Sequence, residues 1–128
     1  MRFNGINHLA MATGDMDATI RFWRDLLGMR LVGGLGEPGY RHYFFEISQT
    51  DLIAFFEWPA VEPVEPKAHG RPVRGPFVFD HVSFGVESSE ALWELKDKLD
   101  AGRLRAFGRD RSWIHPFHLC VRSQRYPG

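Results

Sequence analysis

Two histidines occur in matching surroundings and are the residues best suited to chemistry. His8 begins the segment HLAMATGD and His81 begins HVSFGVES, and a helix-capping residue, Asp15 or Ser88, follows seven residues later in each. Neutral imidazole is the commonest metal ligand at physiological pH. Because an internal repeat places equivalent residues in equivalent positions, we interpret His8 and His81 as a pair of ligands for a divalent metal.

A third protein ligand is needed, because two nitrogens alone hold a divalent metal weakly and a carboxylate is the usual third donor. Glu57, near the end of LIAFFEW, is the first candidate, and Glu46 is the second. These residues also have an ordinary structural interpretation. The histidines would then be hydrogen-bonded polar residues on half-buried strands, and Glu57 a solvated strand end.

The hydrophobic pattern places the first histidine on the first strand of a β-α-β-β-β unit. Strands are expected at 5–12, 29–35, 40–47 and 52–58, with the glycine-rich GGLGEPG breaking the second, and a helix at 16–27 that Gly28 ends. His8 shares a strand face with Ala10 and Ala12, whose small side chains leave room beside it. Leu9 and Met11 are expected to face the helix.

A proline-rich linker at 59–76 separates this first module, 1–58, from a second module at 77–128. In the second module the pattern predicts strands at 79–86, 104–108 and 112–119, and a helix at 88–101. His81 shares its strand face with the small residues Ser83 and Gly85. The pattern lacks a fourth strand. We expect the two modules to form one α+β domain.

The composition argues against several classes of function. Sixteen basic and sixteen acidic residues cancel without a long run of one sign, so neither nucleic acid nor a membrane is an expected partner. A single cysteine, Cys120, excludes an internal disulfide and favours a reducing compartment. The sequence shows no signal-peptide pattern and no membrane-spanning run. We therefore expect a neutral, soluble, cytoplasmic protein.

The segments INHLAMATGDMDATIRFWRDLLGMRL and FDHVSFGVESSEALWELKDKL resemble the vicinal oxygen chelate superfamily of glyoxalases, extradiol dioxygenases, fosfomycin-resistance enzymes and bleomycin-binding proteins. The resemblance covers residues 3–115. It implies two tandem β-α-β-β-β modules that form a cup-shaped sheet around a divalent Fe, Mn, Ni or Zn ion, and also a homodimer. A substrate would bind the metal through two adjacent oxygens.

The resemblance also implies which residues hold the metal. The first strand of each module supplies a ligand, which corresponds to His8 and His81. In glyoxalase-like members the fourth strand of the first module adds a glutamate, which Glu57 would match. In dioxygenase-like members the glutamate lies instead on the last strand of the second module.

The C-terminal segment departs from the superfamily, whose members have an Asp-Pro-Asn-Gly type of turn before the strand that bears the glutamate. Residues from Phe117 onward, FHLCVRSQRYP, are compatible with a coding sequence that reads SIYVFDPNGI when shifted by one base. We hypothesise that the C-terminus is the product of a frameshift near Pro116, which removes the last strand and its ligand. The alternative is a naturally short, divergent C-terminus.

Two main functions follow. In the first, the protein is a metal-dependent dioxygenase or lyase, and its metal acts as a Lewis acid. This activity would be impaired if the C-terminus is aberrant. Phe55, Trp113 and His115 would line the ligand pocket, with His115 as a possible proton-transfer group. In the second, a metal-free protein sequesters a drug or metabolite, as bleomycin-binding relatives do, and the aromatic residues contact a planar ligand. A fragment without activity is a third interpretation.

Overall fold

The two histidine motifs fall in different structural units of this α+β chain, Met1–Glu62 and Pro63–Gly128. The computed structural model describes residues 1–62, 70–72, 80–107 and 119–123. The predicted α+β class is confirmed. The boundary between the units falls inside the linker predicted at 59–76.

The first unit has the predicted β-α-β-β-β order. Its elements are β1 (His8–Thr13), α1 (Met16–Ile20), a π-helical segment (Arg21–Leu26), β2 (Leu31–Glu37), β3 (Tyr40–Glu46) and β4 (Leu52–Glu57). The strands form one sheet in the order β1-β4-β3-β2. Strand β1 pairs with β4 in parallel, and the remaining pairs are antiparallel. The helical crossover between β1 and the rest of the sheet therefore covers one face.

The helical segment begins at Met16 as predicted, but it is α-helical only to Ile20 and continues as a π-helix to Leu26, one residue before the predicted end. The Asp15 side chain caps the helix by accepting the Ala18 N–H at 2.9 Å. Gly28 follows the helix with a φ of 78°, a conformation that glycine adopts without strain. Trp23 of the π-helical segment is fully buried and packs on Phe55 with ring centroids 5.5 Å apart.

The prediction for β2 was wrong in one respect. The glycine-rich segment does not break the strand, because β2 continues through Gly33 and Gly34 to Glu37 in antiparallel pairing with β3. The pairing register shifts between Leu31 and Gly33, as in a β-bulge. The actual turn lies at Gly39, whose φ of 107° requires glycine.

The described part of the second unit contains β5 (Val82–Val86), α2 (Ser89–Phe107) and β6 (Leu119–Ser123). The Ser88 hydroxyl accepts the Ala91 N–H at 3.0 Å and caps α2, as predicted. The predicted strand at 104–108 was wrong, since α2 runs to Phe107 and tolerates Gly102, at a cost of about 1 kcal/mol relative to alanine.

Strand β6 pairs with β5 in parallel, from Val82 with Leu119 to Val86 with Ser123. It lies later in the chain than the strand predicted at 112–119, most of which is outside the described residues. Within the described ranges, no helix is long and apolar enough to cross a membrane.

Candidate metal and ligand site

Both histidines head a strand face that is exposed within the chain. Along β1 the exposed positions alternate with half-buried ones and end at the buried Thr13. The same alternation runs through the strand that follows His81. The exposed positions are His8, Ala10 and Ala12 in the first unit and His81, Ser83 and Gly85 in the second. The predicted assignment of these residues to one face of each strand is confirmed.

Each histidine ring is oriented by the residue that precedes it. The Nδ1 of His8 lies 2.9 Å from Oδ1 of Asn7, and the Nδ1 of His81 lies 2.7 Å from Oδ1 of Asp80. Both oxygens are acceptors, so in the neutral imidazole Nδ1 carries the proton and Nε2 carries the lone pair. This is the arrangement in which a histidine binds a metal through Nε2 while a second group fixes the ring.

The Asp80 carboxylate is itself held in place, because the same Oδ1 accepts the backbone N–H of Gly70 at 3.0 Å. Gly70 adopts a φ of 74°, so the turn that brings its N–H to Asp80 favours glycine. The orientation of His81 therefore depends on a carboxylate that the backbone of its own unit positions.

Glu57 belongs to a different network. Its carboxylate accepts Nε and Nη2 of Arg41, each at 2.8 Å, and the backbone N–H of Met16 at 2.7 Å. The Arg41 guanidinium and the Met16 N–H hold the pKa of the Glu57 carboxyl below its ordinary value. Arg41 also donates to Asp17 at 3.0 Å, so two carboxylates raise the pKa of this guanidinium further.

The prediction of Glu57 as a ligand beside His8 is not supported by this geometry. Glu57 is the register partner of Thr13, five positions beyond His8, or about 16 Å along the strands. Because side chains alternate between the faces of a sheet, Glu57 lies on the face opposite His8. The β4 residues that share the face of His8 are Leu52, Ala54 and Phe56, and none of them is a carboxylate.

Glu46, the second candidate, lies on the face of His8. It pairs with Leu52, which pairs with His8, so the three residues form one row across the sheet. Its carboxylate accepts Nε of Arg30 at 2.6 Å. Among the described residues, no group of three histidine, cysteine, aspartate or glutamate side chains is arranged to hold a metal.

The structure describes only one of the three residues that were predicted to line a ligand pocket. Phe55 is fully buried and packs against Trp23 and Phe45, on the face opposite His8. It is therefore a core residue, which corrects the prediction. Trp113 and His115 lie outside the described residues.

His42, on β3, was not predicted from the sequence. It lies on the same sheet face as His8. It is 8% exposed, and its ring stacks on Phe56 with centroids 3.5 Å apart and lies 4.5 Å from Phe44. Burial, and to a lesser extent the nearby charge of His8, lowers the pKa of His42. Strand alternation places His42 and Phe44 on one face of β3, but only the pairing of β3 with β4 and of β4 with β1 shows that this is the face of His8.

The comparison with protein families agrees with this fold. A family model of the Glyoxalase/Bleomycin resistance protein/Dioxygenase superfamily matches residues 5–106, and the chain belongs to that superfamily. The resemblance of the two histidine segments is thereby confirmed. Proteins of this superfamily share a fold but differ in their reactions, so membership does not assign an activity.

Two curated relatives match most of the chain. MhqA of Bacillus subtilis (strain 168), assigned to the ring-cleaving dioxygenases, is 25% identical over an alignment of 122 residues that covers 86% of this chain and 36% of MhqA. A lactoylglutathione lyase of Haemophilus influenzae is 29% identical over 91 residues, which are 70% of this chain and 63% of the lyase. This chain therefore spans less than two thirds of the length of either relative.

A solved structure supports the same fold. A variant of the fosfomycin resistance protein FosX from Listeria monocytogenes, complexed with Mn(II) and dihydroxypropylphosphonic acid, superimposes with a TM-score of 0.55. The match covers 78% of this chain and 70% of FosX at 16% identity. At this identity the likeness concerns the fold alone.

Proposed function

We propose that this protein is a metal-dependent enzyme in which His8 and His81 hold a divalent Fe, Mn, Ni or Zn ion. The observation that carries the proposal is the matched orientation of the two rings. In each unit, the residue before the histidine accepts a hydrogen bond from Nδ1, which prepares Nε2 for a metal. A chance pair of surface histidines has no reason to share this arrangement at equivalent positions of a repeat.

The metal would act as a Lewis acid on a small substrate that binds through two adjacent oxygens. The residues around the histidines are compatible with this role. Ala10 and Ala12 share the exposed face of His8, and Ser83 and Gly85 share that of His81, so small side chains leave space for a ligand. The names of the relatives, a ring-cleaving dioxygenase and a lactoylglutathione lyase, suggest a catechol or a thiohemiacetal as substrate.

We assign the third protein ligand to a position other than Glu57, because Arg41 and Met16 already engage that carboxylate. The resemblance to dioxygenase-like members suggests a glutamate on the last strand of the second module. Strand β6 reads LCVRS and contains no carboxylate. We also propose a homodimer, as the superfamily suggests, and a cytoplasmic location, which the single cysteine supports.

Metal analysis tests this proposal. The protein is purified without chelators, its metal content is measured by mass spectrometry, and the affinities for Fe(II), Mn(II), Ni(II) and Zn(II) are measured by calorimetry. We expect His8→Ala and His81→Ala each to weaken the binding of the preferred metal at least tenfold. Glu57→Gln is the matched control and should bind the metal as the wild type does. Wild-type protein that binds none of the four metals would contradict the proposal.

The substrate class is tested on the metal-loaded protein. Oxygen uptake with catechol and Fe(II) indicates ring cleavage, whereas turnover of the hemithioacetal of methylglyoxal and glutathione indicates a lyase. Either activity supports the proposal if His8→Ala and His81→Ala abolish it. An activity that survives both substitutions places the reaction elsewhere.

Metal-free ligand binding is the second candidate function. A row of aromatic side chains on the face of His8, with the buried His42 at its centre, favours it. Such a protein would bind its ligand equally well in the presence and absence of EDTA. The measured metal content distinguishes the two functions.

A further inference from the structure

Strand β2 lies at one edge of the sheet in the first unit and is exposed. The strand order is β1-β4-β3-β2, so within the described ranges β2 pairs only with β3. Val32 is 44% exposed and Leu35 is 64% exposed, and the last four residues of the strand are all exposed. Sheets usually protect such an edge with charged residues or proline. The residues between Arg30 and Glu37 include neither, so this edge is suited to pairing with another strand.

Two glycines of β2 are not required by the fold of their own unit. Neither Gly33 nor Gly36 has the positive φ that favours glycine. A β carbon at Gly33 would lie 3.8 Å from the Phe44 side chain, and one at Gly36 would lie 3.7 Å from the Tyr40 carbonyl, which are ordinary contact distances. Glycine weakens the interior of a strand and often marks a place where another backbone approaches closely.

The two ends of this edge carry opposite charges on the same sheet face. The Arg30 side chain is 77% exposed even though its Nε contacts Glu46, and Glu37 is exposed at the other end. Arg30 lies beside Glu46 of β3, whose N–H donates to the Arg30 carbonyl at 2.9 Å, and Glu37 pairs with Tyr40. Glu46 and Tyr40 lie on one face of β3 because strand residues alternate. An edge of this kind is complementary in charge to an antiparallel copy of itself.

We propose that β2 pairs antiparallel with β2 of a second copy of this chain, about a two-fold axis at Gly34. In this register Arg30 of each copy lies opposite Glu37 of the other, because the bulge at Val32 counts as two residues against one. A two-fold axis at Gly33 or at Leu35 does not bring these charges together. The proposal gives the homodimer proposed above a specific interface, and it does not depend on the metal site.

The same register places a large side chain opposite each of the two glycines. Leu35 lies opposite Gly33 of the second copy, and Leu31 lies opposite Gly36 of the second copy. In both pairs the two residues belong to the same sheet face, as their pairing with β3 shows. Each leucine would therefore cover backbone that glycine leaves bare, and the exposed Leu35 would lose apolar surface to the interface. Both contacts occur twice, because a two-fold interface is isologous.

The test reverses the charges at the ends of β2 in the full chain and measures self-association by analytical ultracentrifugation. The wild type should be a dimer that dissociates on dilution. We expect Arg30→Glu and Glu37→Arg each to raise the dimer dissociation constant at least about tenfold, since like charges then face each other at both ends. An equimolar mixture of the two variants should associate as the wild type does, because one copy then has acidic and the other basic groups at both ends.

Two further variants make the result specific to this edge. Arg24→Glu makes the same charge change and also removes an arginine–carboxylate pair, but it lies outside β2 and should associate as the wild type does. Gly36→Val has room within its own unit but meets Leu31 of the second copy, so it should weaken the association. Thermal unfolding confirms that each variant is folded. Charge variants that dimerise as the wild type does, or a mixture that associates no better than either variant alone, would overturn the proposal.

Metal analysis of the same preparations separates this interface from the proposed metal function. A wild type that binds a divalent metal but is monomeric contradicts the interface and leaves the metal function untouched. A dimer that binds none of the four metals, but dissociates when the charges are reversed and recovers in the mixture, supports the interface and contradicts the metal function.

Discussion

Arg41 donates two hydrogen bonds to Glu57, from Nε to Oε1 and from Nη2 to Oε2, each 2.8 Å long. This paired geometry ties β3 to β4 on the face opposite His8. Because Oε2 of Glu57 also accepts the Met16 N–H, the same carboxylate fixes the first residue of α1. Glu57 therefore joins two strands and the crossover helix, which is a structural task.

We expect Glu57→Gln to destabilise the protein by about 1 kcal/mol at pH 7, a small value because Arg41 is partly exposed. The pKa of the Glu57 carboxyl is lowered in the folded state, so this stabilisation is complete above its ordinary value of 4.5. It is lost as the pH falls through the folded-state pKa. Urea unfolding at neutral and acid pH measures the difference between variant and wild type, which should shrink in acid.

Asp25→Asn is the matched control for this stability measurement. Asp25 accepts Nε of the adjacent Arg24 at 2.8 Å, but both side chains are half exposed, so their pairing contributes little. The midpoint of unfolding should not move. An equal loss of stability in the two variants would show that the hydrogen bonds of Glu57 stabilise the fold no more than the exposed pair of Arg24 and Asp25.

If His8 and His81 hold a divalent metal as proposed, the same Glu57→Gln protein should bind that metal as the wild type does. Its carboxylate lies on the opposite sheet face and five register positions from His8, so the glutamine changes neither the charge nor the ligands at the histidine. Calorimetry with the preferred divalent metal should give the wild-type affinity and stoichiometry. A tenfold loss of metal affinity would mean that Glu57 on β4 is a metal ligand, contrary to the register of β4 with β1.

Much of the first unit follows from local sequence signals. The alternation around His8, the Asp15 cap and the Gly28 stop each depend on a few neighbouring residues, and each was predicted correctly. The sheet face on which Glu57 lies could not be predicted from such local signals. Alternation along β4 separates Glu57 from Phe56, but only the pairing of β4 with β1 shows which of these two faces His8 shares.

The contacts that define the site come from long-range packing. Arg41 meets a carboxylate sixteen residues away, and His42 is buried by Phe56 of the neighbouring strand. No local pattern fixes such contacts, because they depend on the register of two strands. The extension of α2 to Phe107 was missed because Gly102 is a common stop signal, which the helix overrides here.

If His8 and His81 hold a metal as proposed, Asn7 and Asp80 should behave as positioning residues for these two histidines. We expect Asn7→Ala and Asp80→Ala each to weaken metal binding by about 10- to 100-fold, because the neighbouring ring loses the acceptor that fixes its orientation. Asp80→Asn retains an acceptor oxygen and should lose less affinity than Asp80→Ala. Asp100→Asn, which removes the partner of Lys96 on α2, is the control. Wild-type affinity in both alanine variants would contradict the assigned role.

The stability of the protein should fall in mild acid because of His42. Its folded-state pKa lies below the ordinary value of 6.5, since burial disfavours the imidazolium. The unfolded chain therefore takes up a proton first as the pH falls through 6.5, and unfolding is favoured. Urea unfolding between about pH 5 and pH 8 should show a smaller pH dependence in His42→Phe than in the wild type. An equal pH dependence of the unfolding free energy in the two proteins would mean that His42 titrates normally in the folded state.

Strand β6 pairs with β5 in parallel, as β4 pairs with β1. The resemblance to dioxygenase-like members implies a glutamate ligand on the last strand of the second module. The residues Leu119–Ser123 contain neither aspartate nor glutamate. Strand β6 therefore carries no carboxylate of the kind that the resemblance implies.

The coding DNA beyond codon 116 tests whether a frameshift explains this. We expect the frame shifted by one base to read SIYVFDPNGI from codon 117, followed by a strand that contains glutamate. Restoring that frame should increase the affinity for the divalent metal at least tenfold, because the added carboxylate brings charge and a coordination position. Substituting the restored glutamate with glutamine should remove the gain, whereas Glu57→Gln in the restored protein should not. A shifted frame that is closed by stop codons would refute the frameshift and require another third ligand.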